Sequence, residues 1–176
     1  MTGKVYAILS VAAILILVGL VGRNNIKLAS RMVFGNGELV VGKDIEIADI
    51  TEFYYTYAAS TYPPEYQRYH IKLEDGNLRF YHETREGNHW PLTEADITSS
   101  GMIELSKEEA DELLICLDDG IVVKRKNNTE AGGSKIWLYL YWKGDQSKYQ
   151  EFSFASEEMR NSFEHICMKL RDKSIE

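Results

Sequence analysis

Tyr69-His-Ile-Lys-Leu-Glu-Asp-Gly-Asn-Leu-Arg-Phe-Tyr-His82 is the stretch whose reading decides the fold. Its centre, Asp75-Gly76, is a two-residue hairpin signal, because both central positions of such a turn must tolerate positive φ. Centring a hairpin there opposes Glu74 to Asn77, Leu73 to Leu78, Ile71 to Phe80 and Tyr69 to His82. One face then holds Tyr69, Ile71, Leu73, Leu78, Phe80 and His82, and the other holds His70, Lys72, Arg79 and Tyr81. A slip of one residue would mix the two sets, so turn chemistry and hydrophobic pattern specify the same register.

Upstream of the hairpin, Thr51 to Ala59 also has a period of two. Phe53, Tyr55 and Tyr57 share one face and Glu52, Tyr54 and Thr56 the other, until Tyr62-Pro63-Pro64 breaks the strand. Downstream, a loop around Gly87-Asn-His-Trp90-Pro91 leads to a short strand near Met102 to Leu105. Ser106-Lys-Glu-Glu109 is a capping box, in which hydroxyl and carboxylate satisfy backbone amides reciprocally at a helix start. Ala110, Leu113, Leu114 and Leu117 form its apolar face, and Gly120 is expected to end it.

Three further strands are expected over residues 120–125, 135–143 and 148–154, with the stretch Asn127 to Ser134 and the turn Gly144-Asp-Gln-Ser147 between them. Ser156 then caps a closing helix with Glu157 and Glu158 at its positive end and a stripe of Met159, Phe163, Ile166, Cys167 and Leu170. A closing helix after a run of strands loosely resembles a pleckstrin-like barrel. The mid-chain helix departs from that pattern, and no phosphoinositide-binding function is carried over.

Ahead of all this, Val5 to Gly22 contains no charged residue. As a helix it would be about 27 Å long, near the roughly 30 Å thickness of a bilayer hydrocarbon core. A cleavable signal would have a shorter apolar region and small residues at −3 and −1 of the cut. Cuts after Gly22 or Gly19 place Leu20 or Leu17 at −3, so a retained anchor is the expectation. The first 31 residues carry Lys4, Arg23, Lys27 and Arg31 with no acid, +4 in all; the chain is −7, which leaves −11 for residues 32–176. That acidity argues against nucleic acid as a partner and favours a basic protein surface. The span flanked by few charges leaves orientation open, with the domain leaning to the extracytoplasmic side.

The composition, 44% apolar and 27% charged, is that of a folded domain, and eleven Tyr, three Trp and six Phe favour strands. No motif names a chemistry. Gly35-x-Gly37 lacks the third glycine of a dinucleotide loop, and GxSxG, P-loop and HExxH patterns are all missing. His82, Glu83, Glu86 and His89 are a local histidine and carboxylate cluster, but with no metal-site spacing, and His82 falls on the apolar face of the hairpin. No metal or cofactor is therefore expected. Cys116 and Cys167 have no CxxC partner; they either form one bridge in an oxidising compartment or are small buried residues, which free Cys favours. His165 points away from Cys167 on a helix, which argues against a nucleophile. The acids Glu108, Glu109, Asp111, Glu112, Asp118 and Asp119 lie on a polar helix face, and Asn127-Asn128-Thr129 matches a glycosylation sequon.

The expectation is an α+β chain: an N-terminal transmembrane helix at 5–22, a connector over 23–44, and an acidic domain over 45–176. That domain has one mostly antiparallel sheet of about six or seven strands and two packed amphipathic helices. Its expected role is non-catalytic binding at the cell membrane, on a single-pass anchor. The candidate partner surface is Tyr54, Tyr62, Tyr66, Trp90, Glu108 and Glu112. The competing reading is an enzyme with a site around His70, His82 and His89, which requires those side chains to share a pocket.

Overall fold

The hairpin forms in the register that its sequence specifies, pairing Glu74 with Asn77, Leu73 with Leu78, Ile71 with Phe80 and Tyr69 with His82. Asp75 and Gly76 both take positive φ, 54° and 88°, as the turn requires. The computed structural model describes residues 37–124, 135–145 and 150–175. The chain divides into two units, Met1–Glu38 and Leu39–Glu176. The span read from Val5 to Gly22 lies outside the described residues, as does the Asn127-Asn128-Thr129 sequon. Among the described residues no helix is long and apolar enough to cross a membrane.

The described chain is an α+β protein with one antiparallel eight-stranded sheet and two helices. Its strands are β1 (Glu38–Val40), β2 (Ile50–Ala59), β3 (Glu65–Glu74), β4 (Asn77–Glu86), β5 (Ile97–Glu104), β6 (Ile121–Lys124), β7 (Lys135–Trp142) and β8 (Gln150–Ser153). They lie in the order β1-β6-β8-β7-β2-β3-β4-β5. Strands β2 to β5 are a meander of antiparallel neighbours. Helix α1 (Lys107–Ile115) then connects β5, at one edge, to β6 near the other. Helix α2 (Glu157–Ile175) follows β8 and packs against β4, β5 and α1.

Side-chain alternation decides what α2 covers. The ladder aligns Phe53, Ile71, Phe80 and Ile103 in one row and Tyr55, Tyr69, His82 and Gly101 in the next, all on one face. Phe163, Cys167 and Leu170 of α2 recur at i, i+4 and i+7, so a single stripe lies on those rows, and all three are buried. Phe163 is the hub. Its ring centroid lies 5.2 Å from Phe53, 5.5 Å from Phe154 and 5.9 Å from Tyr55. Phe53 in turn meets Phe152 edge-on at 5.2 Å, which ties β8 to β2 through side chains. The Tyr55 hydroxyl donates to Glu164 on the same helix.

Both helix caps form as read. Ser106 Oγ accepts from Glu109 N at 3.2 Å while Glu109 Oε2 accepts from Ser106 N at 2.8 Å, and Ser156 Oγ accepts from Met159 N at 3.2 Å. Five details differ from the sequence reading. The stretch read as a connector contains β1, whose Leu39 is buried together with the following Val41; three residues beside glycines are too few to show a period. Strand β5 starts at Ile97 rather than Met102, and the sheet has eight strands. The buried face of α1 is narrower than expected, since within the helix only Leu113 is fully buried, followed by Cys116 and Leu117 just beyond it. After that helix the left-handed residue is Asp119, with φ 55°, and not Gly120. Gly120 is needed for a different reason: a Cβ there would sit 2.3 Å from the Phe152 ring.

Phe163→Ala is expected to cost about 3–5 kcal/mol, and Ile115→Ala, on a side chain 62% exposed, to stay within about 0.5 kcal/mol. Urea titration of the full-length protein in detergent checks both; equal costs would contradict the place given to Phe163.

Candidate functional site

The next row along the helix-side face is Tyr57, Gln67, Thr84 and Ser99. Burial falls sharply there. Tyr55, Tyr69 and His82 are at most 5% exposed, whereas Tyr57, Gln67, Thr84 and Ser99 are all half-exposed, because the stripe of α2 does not extend over them. The Tyr62-Pro63-Pro64 connection projects beside this shelf. At this end of the sheet is an open groove of about 770 Å³ whose lining includes Tyr57, Pro63, Pro64, Thr84 and Thr98, together with Tyr66 and Arg85, a pair that alternation assigns to the opposite face.

The groove walls are held by polar contacts. Gln67 Nε2 donates to Glu83 O at 3.1 Å, and Thr84 Oγ1 donates to Gln67 Oε1 at 2.8 Å. The Arg85 guanidinium lies over the Tyr66 ring, 4.4 Å from its centroid, and its Nη1 donates to Leu92 O at 3.3 Å. Arg85 Nε also donates to Glu83 Oε1 at 2.6 Å, so its charge is committed. The carboxylates of Glu65 and Glu86 complete the lining and leave its rim acidic.

The opposite sheet face carries a second aromatic group. The His70 ring lies between Tyr54, stacked at 4.0 Å and 8°, and Tyr81 at 5.4 Å and 26°. Glu52 Oε1 binds both His70 Nε2 at 2.8 Å and the Tyr54 hydroxyl at 2.7 Å. Burial pushes the His70 pKa below its ordinary value, against the opposing pull of Glu52. A shallow cavity of about 260 Å³ lies beside this stack, lined by Glu52, Tyr54, Thr56, Arg68, Tyr139 and Tyr141. At the hairpin turn, hydrogen bonds from Lys72 and Tyr81 first, and from Arg79, hold the Glu74 carboxyl down to about 2.

The three histidines lie in three places. His70 is on the outer face, His82 is buried on the helix side, and His89 is half in solvent with Asp96 Oδ1 at 3.0 Å. The shared pocket that the catalytic alternative requires is not formed by them. Among the described residues no three histidine, cysteine or acidic side chains converge as a metal group would need. Cys116 and Cys167 are free, buried thiols, and burial pushes both pKa values up, most strongly that of Cys167.

Of the surface residues singled out by sequence, Tyr66 lines the groove and Tyr62, 87% exposed, stands on the adjoining loop. Trp90 is exposed on the β4–β5 connection, and Tyr54 belongs to the outer-face stack. Glu108 and Glu112 are exposed on α1, which starts from the other end of β5. Tyr57, Gln67, Arg85 and Thr98 were not anticipated as lining. For Tyr57 a signal exists: it extends the apolar alternation of β2 one step beyond the reach of the helix stripe. Comparison with protein families, with curated proteins and with solved structures finds no match to this chain.

His82 has an unusual environment. Both ring nitrogens are buried with no hydrogen-bond partner among the described residues, beneath Gly101 and the last turn of α2. Burial lowers its pKa, and Arg171 lowers it further. The neutral ring is therefore the folded form, so its contribution is complete above pH 6.5 and is lost as pH falls below that value. The full-length protein is expected to lose stability between pH 7 and pH 5, and His82→Leu to lose less of it. Thermal melts across that range check this; because His70 shifts in the same direction, the flattening is partial.

Proposed function

We propose that the domain is a non-catalytic binding module, tethered to the cell membrane by the single span Val5–Gly22, that engages a protein partner through the aromatic groove. The observation that carries this reading is the groove itself: tyrosine and proline walls, acidic lining groups, and an exposed Tyr62 on the adjoining loop. Tyrosine suits such a role, since its ring gives contact area at little entropic cost. The acidic lining and the −11 of residues 32–176 favour a basic partner surface and disfavour nucleic acid. In this reading the domain lies on the extracytoplasmic side, on the ground that only four residues precede the apolar span. The catalytic alternative is not favoured, since it required a pocket shared by His70, His82 and His89 and those side chains lie apart.

A photo-crosslinking residue in place of Tyr62, in the full-length protein in its native membrane, is expected to give one adduct of defined size. Tyr66→Ala is expected to abolish most of it. A smear of adducts, or an adduct indifferent to Tyr66→Ala, would count against the groove. Alkaline extraction tests the tether separately: the full chain stays with the membrane and a chain lacking residues 1–22 is released.

A further inference from the structure

Sheet edges are hazards, because a row of unpaired N–H and C=O groups is a template for another chain. At one edge of this sheet, β1 has only three residues. At the other, β5 has eight, Ile97-Thr-Ser-Ser-Gly-Met-Ile-Glu104, with no proline or lysine, a single charge at its last position and a register irregularity only at its first pair. From Ser99 to Ile103 no described residue pairs with its outer side. The side chains at its centre are small, and Ile97 and Met102 are 38% and 50% exposed.

The direction of each amide follows from the ladder. Leu105 N donates to Leu78 O at 2.9 Å, which makes that opposed pair a hydrogen-bonded one. Alternate pairs repeat the pattern, so the amides of Ser99, Gly101 and Ile103 point to β4. Those of Ser100, Met102 and Glu104 point away from the sheet, and no described residue bonds to them.

We propose that β5 is a docking edge, on which an extended segment of a partner protein with basic flanking residues adds as a further strand. The proposal rests on the binding-module reading but assigns the contact to different atoms. Two observations choose the occupant. The edge is bracketed by acids, Glu94 before it and Glu104 and Glu108 at and beyond its end, with Asp96 engaged by Thr93 and His89; the Glu104 side chain is still 53% exposed despite Arg79 at 3.8 Å and Asn77 at 3.0 Å. Thr98 of β5 also lines the groove, so a strand laid on this edge runs directly into it. A second copy of the chain would instead bring another strongly acidic domain alongside the first, and like charges at a shared edge oppose pairing.

The test uses the full-length protein in nanodiscs and a fluorescent synthetic peptide of alternating Val and Thr flanked by two lysines at each end. Binding is read by anisotropy, and hydrogen exchange is read at single amides. The peptide is expected to slow exchange at Ser100, Met102 and Glu104 by about tenfold. Glutamates in place of the lysines, or N-methylation of the peptide at alternate residues, should each weaken binding by about tenfold. Ser100→Pro removes an outward amide without touching a bond to β4, and should weaken binding by a similar factor. Met102→Lys, which adds a guarding charge, serves the same purpose if Ser100→Pro melts early. Tyr66→Ala should leave protection of the β5 amides in place, so loss of the groove and loss of the edge are read separately. Unprotected β5 amides at saturating peptide, or binding indifferent to both edge variants, would overturn the proposal. So would protein-concentration-dependent protection of those amides without peptide, which would make a second copy the occupant.

Discussion

The contact between α2 and the sheet, centred on Phe163, is the interaction on which the rest depends. A single sheet has one face too many, and this face carries Phe53, Tyr55, Tyr69, Ile71 and Phe80, which are stable only when covered. The helix supplies the cover with one stripe, and the aromatic cluster of Phe53, Phe152, Phe154 and Phe163 joins strands from distant parts of the chain. Each fully buried aromatic side chain is worth roughly 1.5–3 kcal/mol of transfer free energy, so a few of them outweigh any one polar contact on the surface.

One stripe covers a limited number of rows, and that limit produces the groove. The two rows under α2 are closed. The row of Tyr57, Gln67, Thr84 and Ser99 is left as a shelf, which the Pro63-Pro64 connection walls in. The opposite face needs no second helix, because its aromatic rings cover one another. His70 between Tyr54 and Tyr81, with Glu52 bonding to two of the three, replaces a hydrophobic layer by a stacked polar one. The histidine that the catalytic alternative drew on is here a spacer between two tyrosine rings, with its Nε2 donating to Glu52.

Elements set by local chemistry were legible from sequence. The hairpin register followed from Asp75-Gly76 and the alternation on both sides; the two helix starts followed from Ser106 and Ser156. His82 on the apolar face was also read correctly, since alternation alone places it inside. The beginning of β5 was not legible, because Thr98-Ser-Ser-Gly101 has no apolar period and is a strand only through pairing with β4. Strand β1 was missed for its shortness, and the mid-chain helix ends at Ile115, ahead of Gly120. The groove was only half visible. Tyr62, Pro63, Pro64 and Tyr66 drew notice as a cluster, while Tyr57, Arg85 and Thr98 come from other strands and meet them only through the sheet order, which no local pattern encodes.

Native-state hydrogen exchange of the full-length protein tests the central role of α2 most directly. If the Phe163 contact holds the fold together, the amides of α2 around Phe163 and those of β2, β3 and β4 exchange through one opening with the same free energy and the same denaturant dependence. A lower free energy for α2, with the central strands still protected, would show that the sheet stands without its helix and would contradict the account.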